Sequence, residues 1–491
     1  MVAVAVQERR VTNVNYIIFF LDGSAAVRRS KLPAQTRIKG TTWAAGYRHG
    51  FTPCPTDATL TVDAQGPAQP GRVRGARRLT DRARSYYIKY DSNLAVKAGT
   101  MQHKPLDGIR ILEIGGYIAL PFGTSFLCAL GAEVVKVERP VTGEDFRRHQ
   151  NDRSPYFRQY NTGKRSISVD LKTREGIAVV KALVPFFDVV LENLRPGKVA
   201  AMGLGPEDCR ALRPDIVYGS VTGFGTTGPL ADRPAYDTIG HAFGGLYSLF
   251  SDSGRPQLAG GLSADLVTGL STATGVLAAL VGRLKTGQPQ RMETSIMEAV
   301  SVLTTDGITQ AFELGEDPTR TSRHPQAQNF CVPTSSGEYL AVHLSSSQKF
   351  WTSLCRAMDR MDLAEDPRFA EYRPREANYF ELTPIVEAEF ATKSKEHWEK
   401  VLTENDVPFA PVLSMNGYLD HEQVQHLELV ERQDDGLALL RPPWKFDGQR
   451  PDRAGRAPKV GADTREVASE VLTAHEIDEL LASGVLYADE S

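Results

Sequence analysis

From residue 108 to residue 221, short runs of apolar and β-branched residues alternate with stretches of helical periodicity. The first run, Gly108-Ile-Arg-Ile-Leu-Glu-Ile-Gly115, is followed by a helix-compatible stretch from Pro121 to Leu130. Parallel strands need a crossover that returns the chain to the same edge of the sheet, and this crossover is usually a helix. The later predicted strands are Glu133–Val137, Ser166–Asp170, Asp188–Glu192 and Asp215–Val221, and the later predicted helices are Arg174–Phe186 and Pro206–Arg213. We therefore predict an α/β domain with a parallel sheet covered on both faces.

The pattern after residue 236 changes twice. Residues 236–284 are helical, rich in small residues and nearly uncharged, so we expect them to be buried between elements or subunits. Residues 318–412 mix a strand pattern at 338–343 with amphipathic helices around 349–359 and 385–404. We predict a large domain at 101–317, a smaller α+β domain at 318–412, and a return to the large domain at 413–491.

The first hundred residues differ in charge from the rest of the chain. Residues 1–100 carry 16 Lys and Arg against 6 Asp and Glu, whereas the whole chain has 57 against 60 and a net charge of -3. They are rich in Arg, Ala, Gly and Pro and show no sustained period, so we predict no packed domain there. Three interpretations stay open: a disordered basic arm, an organelle transit peptide, or upstream sequence before a true start at Met101. We favour the last.

The remaining composition argues against several classes of protein. The five cysteines are scattered without a C-x-x-C pair, which argues against a disulfide framework and a structural zinc site and favours a reducing cytosol. No H-x-x-x-H or G-x-S-x-G motif occurs, and Gly115-Gly-Tyr after the first predicted strand does not make G-x-G-x-x-G, so metal, serine-hydrolase and dinucleotide sites lack support. The apolar run Tyr16–Leu21 is far shorter than the roughly 20 residues of a membrane span. We expect a cytoplasmic protein without metal, nucleic-acid or membrane partners.

Asp265 is the candidate that the sequence itself suggests. It follows Gly260-Gly-Leu-Ser-Ala and precedes the apolar stretch Leu266–Leu280, so we expect it at or near the N-cap of a helix. Asp is a preferred N-cap residue, and that role alone would explain it. A helix N-terminus also favours an anion, so we expect a carboxylate kept ionised in an apolar place, where it is a usable nucleophile.

Several phrases, taken in order, resemble one protein family. They are Pro105-Leu-Asp-Gly-Ile-Arg-Ile-Leu112, Leu130-Gly-Ala-Glu-Val-Val-Lys-Val-Glu-Arg139, Asn161-Thr-Gly-Lys-Arg-Ser-Ile167, Glu192-Asn-Leu-Arg-Pro-Gly197, Thr222-Gly-Phe-Gly-Thr-Thr-Gly-Pro229 and Ala410-Pro-Val-Leu-Ser-Met415. From Pro105 to about Leu486 the chain resembles the class III CoA-transferases, the group that includes formyl-CoA:oxalate and carnitine CoA-transferases. The resemblance implies a Rossmann-like large domain, a smaller α+β domain, and a ring-like chain that forms an interlocked homodimer.

The resemblance also implies the site. It assigns the catalytic role to Asp265 and the binding of coenzyme A to Tyr117, Ile118, Ala119, Arg139, Val169, Lys172, Asn193, Leu194, Arg195 and Tyr236. The three basic side chains suit phosphates, and Tyr236 can donate a hydrogen bond. Coenzyme A and acyl-CoA are then substrates, and no tightly bound cofactor is expected. The implied reaction moves coenzyme A from an acyl-CoA to a carboxylic acid through an aspartyl mixed anhydride and an aspartyl-CoA thioester.

Two departures narrow the substrate, and two alternative functions remain. Ile118 stands where the formyl-CoA enzymes have a glutamine, and their glycine-run lid is missing around Pro325–Glu338, which argues against oxalate as acceptor. The related 2-methylacyl-CoA racemases carry Gly-His-Asp where this chain has Ala235-Tyr-Asp237, so one base of a two-base proton exchange is missing. The other alternative is a non-catalytic CoA-binding protein with the same fold.

Overall fold

The computed structural model describes residues 104–148, 154–252, 255–258, 260–453 and 455–489, together with the backbone of four strands near the N-terminus. The chain forms two compact units, Met1–Lys97 and Ala98–Ser491. In the first unit the strands pair antiparallel in chain order: β1 (Val2–Gln7), β2 (Asn15–Leu21), β3 (Ser24–Arg29) and β4 (Trp43–Ala44). The sequence predicted no strands there. Most of residues 1–100 lie outside the described residues. The prediction that they are upstream sequence, a basic arm or a transit peptide therefore stays a prediction.

The large domain of the second unit alternates strands and helices. Its elements are β5 (Arg110–Ile114), α1 (Ala119–Ala129), β6 (Glu133–Glu138), α2 (Pro155–Asn161), β7 (Arg165–Val169), α3 (Arg174–Leu183), β8 (Val189–Glu192), α4 (Lys198–Ala201), α5 (Pro206–Leu212), β9 (Val217–Thr222), α6 (Asp237–Phe243), α7 (Leu246–Leu249), α8 (Ser263–Thr286), β10 (Gln290–Ser295), α9 (Ile296–Leu303) and α10 (Thr305–Leu314). Short 3-10 turns at Asp145–Arg148 and Val184–Phe186 follow β6 and α3.

These strands form one sheet in the order β10-β9-β8-β5-β6-β7, with a seventh strand, β16, at the β7 edge. All neighbours pair parallel except β16, which runs antiparallel to β7. One buried cluster lies on each face: Leu112, Val135 and Phe187 belong to the first, and Ile111, Val134 and Val276 to the second. The prediction of an α/β fold with a parallel sheet covered on both faces is confirmed.

The described residues after α10 form the smaller domain and the return of the chain. They contain α11 (Arg323–Ala327), β11 (Asn329–Pro333), β12 (Tyr339–His343), α12 (Gln348–Ala357), α13 (Met361–Glu365), α14 (Tyr372–Ala377), α15 (Tyr379–Phe390), α16 (Lys395–Glu404), β13 (Phe409–Pro411), α17 (Met415–Asp420), α18 (Glu422–His426), β14 (Val430–Arg432), β15 (Ala438–Leu440), α19 (Thr464–Ala468), α20 (Ala474–Ala482) and β16 (Leu486–Tyr487). Strands β11, β12 and β13 form an antiparallel sheet over a core of their own, which includes Trp351, Phe390 and Trp398. The predicted domain boundaries stay predictions.

Helix α8 is the core element that carries Asp265. By length and composition it is long enough and apolar enough to cross a membrane, yet half of its most apolar 18-residue window is buried inside the protein. It packs against α1, α6 and α9 and against β9 and β10. These contacts are those of a core helix.

Candidate active site

A cavity of about 170 Å³ lies at the carboxyl ends of the central strands, where ligands bind in open parallel sheets. The loops after β5, β8 and β9 form its walls, and the first turn of α8 adds a carboxylate. Its lining residues are Tyr117, Ile118, Ala119, Asn193, Leu194, Arg195, Pro196, Val221, Thr222, Gly223, Arg233, Pro234, Ala235, Tyr236, Asp265 and Ile296. The cavity therefore brings together Asp265 and seven of the ten residues predicted to bind coenzyme A.

A second cavity, of about 390 Å³, adjoins the first. It contains the three remaining predicted residues, Arg139, Val169 and Lys172. Tyr117, Asn193 and Leu194 line both cavities, so the two lie side by side along the carboxyl edge of the sheet. One cavity contains Asp265 and the other contains Arg139 and Lys172.

Asp265 is the third residue of α8, so it lies in the first turn of the helix, close to the N-cap position that the sequence suggested. Its side chain is nearly buried, at 9% exposure. Within the described part of the chain, its carboxylate oxygens form no hydrogen bond or ion pair, so it does not act as a helix cap. Burial, together with the nearby charge of Asp237, raises the pKa of Asp265 to about 7. This direction is opposite to the one expected from a helix N-terminus that keeps the carboxylate ionised.

The first turn of α8 is capped by side chains from α6. The residue before the helix is Leu262, which has no side-chain acceptor. The amide of Ala264 donates to Nε2 of His241 at 3.0 Å, and the amide of Asp265 donates to Oδ1 of Asp237 at 3.0 Å. Two of the amide groups that a helix start leaves unpaired are thus satisfied from another element.

Two glycines bring α8 close to α1. A Cβ on Gly269 would lie 2.8 Å from the carbonyl oxygen of Ala119, and a Cβ on Gly123 would lie 2.5 Å from the carbonyl oxygen of Gly269. Because neither position has room for a side chain, the helix backbones pack directly on each other. This crossing places Asp265, one turn before Gly269, beside the loop that begins α1.

The first loop, residues 115–118 between β5 and α1, is held by the side chain of Asn193. Its Oδ1 accepts from the amide of Gly116 at 3.1 Å, and its Nδ2 donates to the carbonyl of Gly116 at 2.9 Å. The Asn193 side chain thus fixes the loop, and a side chain at Gly115 would collide with it. Tyr117 follows in the left-handed region, with a φ of +65° that is uncommon for a residue other than glycine. Its ring packs edge-on against Tyr236 with 5.6 Å between ring centroids.

The basic residues of the two cavities differ in their partners. Arg139 forms an ion pair with Asp145 at 2.7 Å and donates to the carbonyl of Gly143. Lys172 and Arg195 are exposed and form no ion pair with any described residue. The side chains of Ile118, Ala119 and Val169 are buried, so their backbone is what they offer to a ligand.

Comparison with known proteins shows the family. The family model described as "CoA-transferase family III" matches residues 106–464. The chain belongs to CoA-transferase family III.

Individual relatives agree with this assignment. The chain is 32% identical over 404 residues to the succinyl-CoA:glutarate CoA-transferase of Mus musculus, covering 79% of this chain and 92% of that protein. It is 31% identical over 400 residues to the formyl-CoA:oxalate CoA-transferase of Escherichia coli O157:H7, covering 75% and 95%. A solved CAIB/BAIF family protein from Brucella suis matches with a TM-score of 0.67 and 30% identity, covering 76% of this chain and all of that one. The predicted family and enzyme class are confirmed.

Buried charges support the first loop of this CoA-transferase from below. Lys136 Nζ lies 2.8 Å from Oε1 of Glu113, 2.9 Å from Oε2 of Glu144 and 2.8 Å from the carbonyl oxygen of Gly115. Lys164 Nζ lies 2.8 Å from the other oxygen of Glu113. Burial acts to raise the pKa of Glu113, but the two lysines hold it at about 2. Burial lowers the pKa of Lys164 to about 8, although the negative charge of Glu113 acts to raise it.

Sequence reasoning missed three residues of the site. Arg233 lines the same cavity as Asp265, is exposed, and has no ion-pair partner among the residues that the structure describes. Asp237 and His241 cap α8, although the sequence gave no metal or triad motif to any histidine. The signal that was available is the separation of four residues between Asp237 and His241, which places both side chains on one face of a helix.

Proposed function

We propose that this protein transfers coenzyme A between carboxylic acids, with the carboxylate of Asp265 as the covalent nucleophile. The observation that supports this most directly is a nearly buried carboxylate without hydrogen-bond partners in the described part of the chain. It lines one of two adjoining cavities, and Arg139 and Lys172 line the other. A desolvated carboxylate with a raised pKa is a stronger nucleophile, once ionised, than one held by amides or cations.

The proposed reaction proceeds through acyl transfers in which the bonds balance. An oxygen of Asp265 attacks the thioester carbonyl of the donor, the C–S bond breaks, and CoA leaves as the thiolate. The thiolate then attacks the Asp265 carbonyl of the mixed anhydride, which releases the donor acid and leaves an aspartyl-CoA thioester. The acceptor carboxylate attacks this thioester and the steps run in reverse. No proton is consumed, since a carboxylate enters and a carboxylate leaves.

The loop after β9 is the better-placed source of oxyanion stabilisation. Of the two glycine loops that the sequence offers, the one that begins at Gly223 lines the cavity of Asp265, whereas Gly260 and Gly261 do not. Backbone amides of a loop that lines the same cavity as the nucleophile can donate to a tetrahedral oxyanion. We propose the Gly223–Gly228 loop for this role.

Dicarboxylic acids longer than oxalate are the acceptors that we propose first. Arg195 and Arg233 both line the cavity of Asp265 and have no ion pair among the described residues. One arginine can bind a CoA phosphate, and the other can then pair with the second carboxylate of the acceptor acid. The mouse relative transfers CoA between succinyl-CoA and glutarate by its name. Ile118 in place of the glutamine of formyl-CoA enzymes argues against oxalate.

The test is to trap the covalent intermediate. The protein is incubated with succinyl-CoA or glutaryl-CoA, treated with hydroxylamine or borohydride, and digested for mass spectrometry. We expect the modification on Asp265, and no CoA transfer in Asp265→Asn. The matched variant Asp232→Asn, at an exposed aspartate near the cavity, should transfer CoA normally. An unmodified Asp265 or a fully active Asp265→Asn would contradict the proposal.

The structure gives no support to the racemase alternative. Tyr236 stands at the position of the racemase histidine, and His241 is buried with Nε2 accepting from the amide of Ala264. Neither side chain is placed as a free base. We expect no incorporation of solvent deuterium into a 2-methylacyl-CoA, and we expect exchange of labelled acid into acyl-CoA, which a non-catalytic CoA-binding protein would not show.

We also propose that the protein is a cytoplasmic homodimer, interlocked as the family resemblance implies. Large apolar side chains are exposed on α8, α9 and α10, including Leu284 at 76%, Val302 at 64% and Phe312 at 88%. Apolar surface of this extent favours association. Light scattering should give twice the chain mass, and Phe312→Asp should weaken the dimer; an active monomer of the unchanged protein would contradict the proposal.

A further inference from the structure

The helix that carries Asp265 begins without a capping residue of its own. Its N-terminal flank is Leu262, and Ser263 at its first position uses its amide to donate to the carbonyl of Gly261 at 2.9 Å. The next two amides have their acceptors on α6, in His241 and Asp237. A side-chain acceptor stabilises a helix start, so the start of α8 depends on these two residues.

The tautomer of His241 follows from its neighbours. Because the amide of Ala264 can only donate, Nε2 must present a lone pair, and the ring proton must be on Nδ1. Nδ1 lies 3.3 Å from Oδ2 of Asp237 and 3.4 Å from the hydroxyl of Tyr247. Ser263 Oγ, 2.6 Å from Nε2, adds a second possible donor to the same lone pair. Asp237 thus uses one oxygen for the amide of Asp265 and the other for His241.

This arrangement has a consequence for the nucleophile. An aspartate in the first turn of a helix is normally stabilised by the unpaired amides around it. Here the amides of Ala264 and Asp265 already have acceptors, so the Asp265 carboxylate keeps no donor among the described residues. It lines the cavity instead. The same helix α6 follows directly on Tyr236, a residue of the cavity wall.

We propose that Asp237 and His241 are positioning residues for CoA transfer. They accept the hydrogen bonds of the first-turn amides of α8, and they thereby leave the Asp265 carboxylate without a hydrogen-bond donor in the cavity. This inference rests on the proposed function of Asp265. It predicts that loss of either acceptor lets the first turn of α8 shift or lets the carboxylate bond to a freed amide. In both cases the chemical step slows, while the binding of coenzyme A is kept.

The first test separates kcat from KM at His241. His241→Phe removes the acceptor and should lower kcat about 10- to 100-fold while the KM for acyl-CoA changes less than about twofold. His241→Gln keeps an acceptor for the amide of Ala264 and should retain kcat within about threefold. Thr238→Ala, on the exposed side of α6, is the matched control and should be normal. Normal kcat in His241→Phe, or equal losses in both His241 variants, would overturn the proposal.

The second test uses pH and does not depend on whether His241→Phe folds. Among the described residues, the charged and titratable groups around Asp265 are Asp237 from α6 and Tyr160 from α2, with Tyr117, Arg195, Arg233 and Tyr236 in the same cavity. Asp237→Asn keeps an oxygen for the amide of Asp265 but removes the like charge. The acidic limb of kcat/KM should therefore move to lower pH, by about one unit. An unmoved acidic limb would show that Asp237 does not lie beside the Asp265 carboxylate, as the proposal requires.

A third measurement needs no substrate. The free energy of unfolding is measured at pH 5 and pH 8, and the gain from Asp265→Asn is compared at the two pH values. The gain should be larger at pH 8, and this increase should be smaller when Asp237 is already asparagine, because the charge repulsion is then absent. Equal gains in both backgrounds would contradict the positioning of Asp237. An active Asp265→Asn enzyme would instead contradict the proposed function itself, so the two failures are distinguishable.

Discussion

Replacing Asp265 by asparagine should stabilise the protein while abolishing CoA transfer. Burial and Asp237 raise the pKa of Asp265 from its ordinary 3.8 to about 7. The folded state therefore holds a proton that the unfolded chain releases between about pH 4 and pH 7, so stability falls as the pH rises through this window. At about 1.4 kcal/mol for each unit of pKa difference, the full penalty above pH 7 is about 4 kcal/mol, an upper figure. Asparagine carries no charge and escapes this penalty.

The assay is thermal unfolding of both proteins from pH 4 to pH 9. At about 2.1 cal/mol/K of unfolding entropy per residue, a unit the size of residues 98–491 gains about 1 °C in Tm per kcal/mol. The Asp265→Asn variant should match the unchanged protein near pH 4 and exceed it by about 3–5 °C above pH 7. Asp232→Asn, at an exposed site, should stay within about 0.5 kcal/mol throughout. A difference in Tm that does not grow with pH would refute the reasoning.

Three further substitutions test the structure around the site. Gly269→Ala places a Cβ 2.8 Å from a backbone oxygen of α1 and should lower both kcat and stability, the latter by roughly 1–3 kcal/mol. Gly282→Ala, on the same helix, places its Cβ against a flexible side chain and should leave kcat unchanged without lowering stability. Arg139→Ala should raise the KM for acyl-CoA about tenfold with kcat nearly unchanged, since the arginine lies in the second cavity. Lys136→Met should lower the free energy of unfolding in urea by about 3–5 kcal/mol, because it removes the described cation of Glu144 and one of the two cations of Glu113. Lys349→Met, at an exposed site, should lower it by less than about 1 kcal/mol.

The sheet was predictable because its strands are locally distinctive. The predicted strand Glu133–Val137 and the observed β6 differ by one residue, and Asp188–Glu192 and β8 also differ by one. Strand β10, Gln290–Ser295, was missed because it is polar and lies at the edge, where one side needs no apolar residues. Strand β16 has two residues, too few for any periodicity to show. Local pattern therefore predicts the centre of this sheet better than its edges.

The site was predictable where it follows strand ends, and not where it depends on packing between distant elements. The resemblance assigned Tyr117, Arg139 and Asn193, each at or just after the end of a strand, and all three line the cavities. The contacts of Asp237 and His241 with α8 span more than twenty residues of chain. The spacing of four residues between them indicates a shared helix face, but not which element that face contacts. Such contacts become visible only once α6 and α8 are packed.

The charge of Asp265 shows how the same helix start can have opposite effects on a carboxylate. Unpaired amides at a helix N-terminus attract an anion and lower its pKa. In this protein the amides of Ala264 and Asp265 already donate to His241 and Asp237, and Asp237 adds a negative charge of its own. Burial then decides the outcome, and the pKa rises to about 7. A carboxylate of that basicity is half ionised near neutral pH and, when ionised, attacks a carbonyl more readily than one of ordinary pKa. In the mechanism that we propose, the first turn of α8 would therefore serve acyl transfer by placing Asp265, not by ionising it.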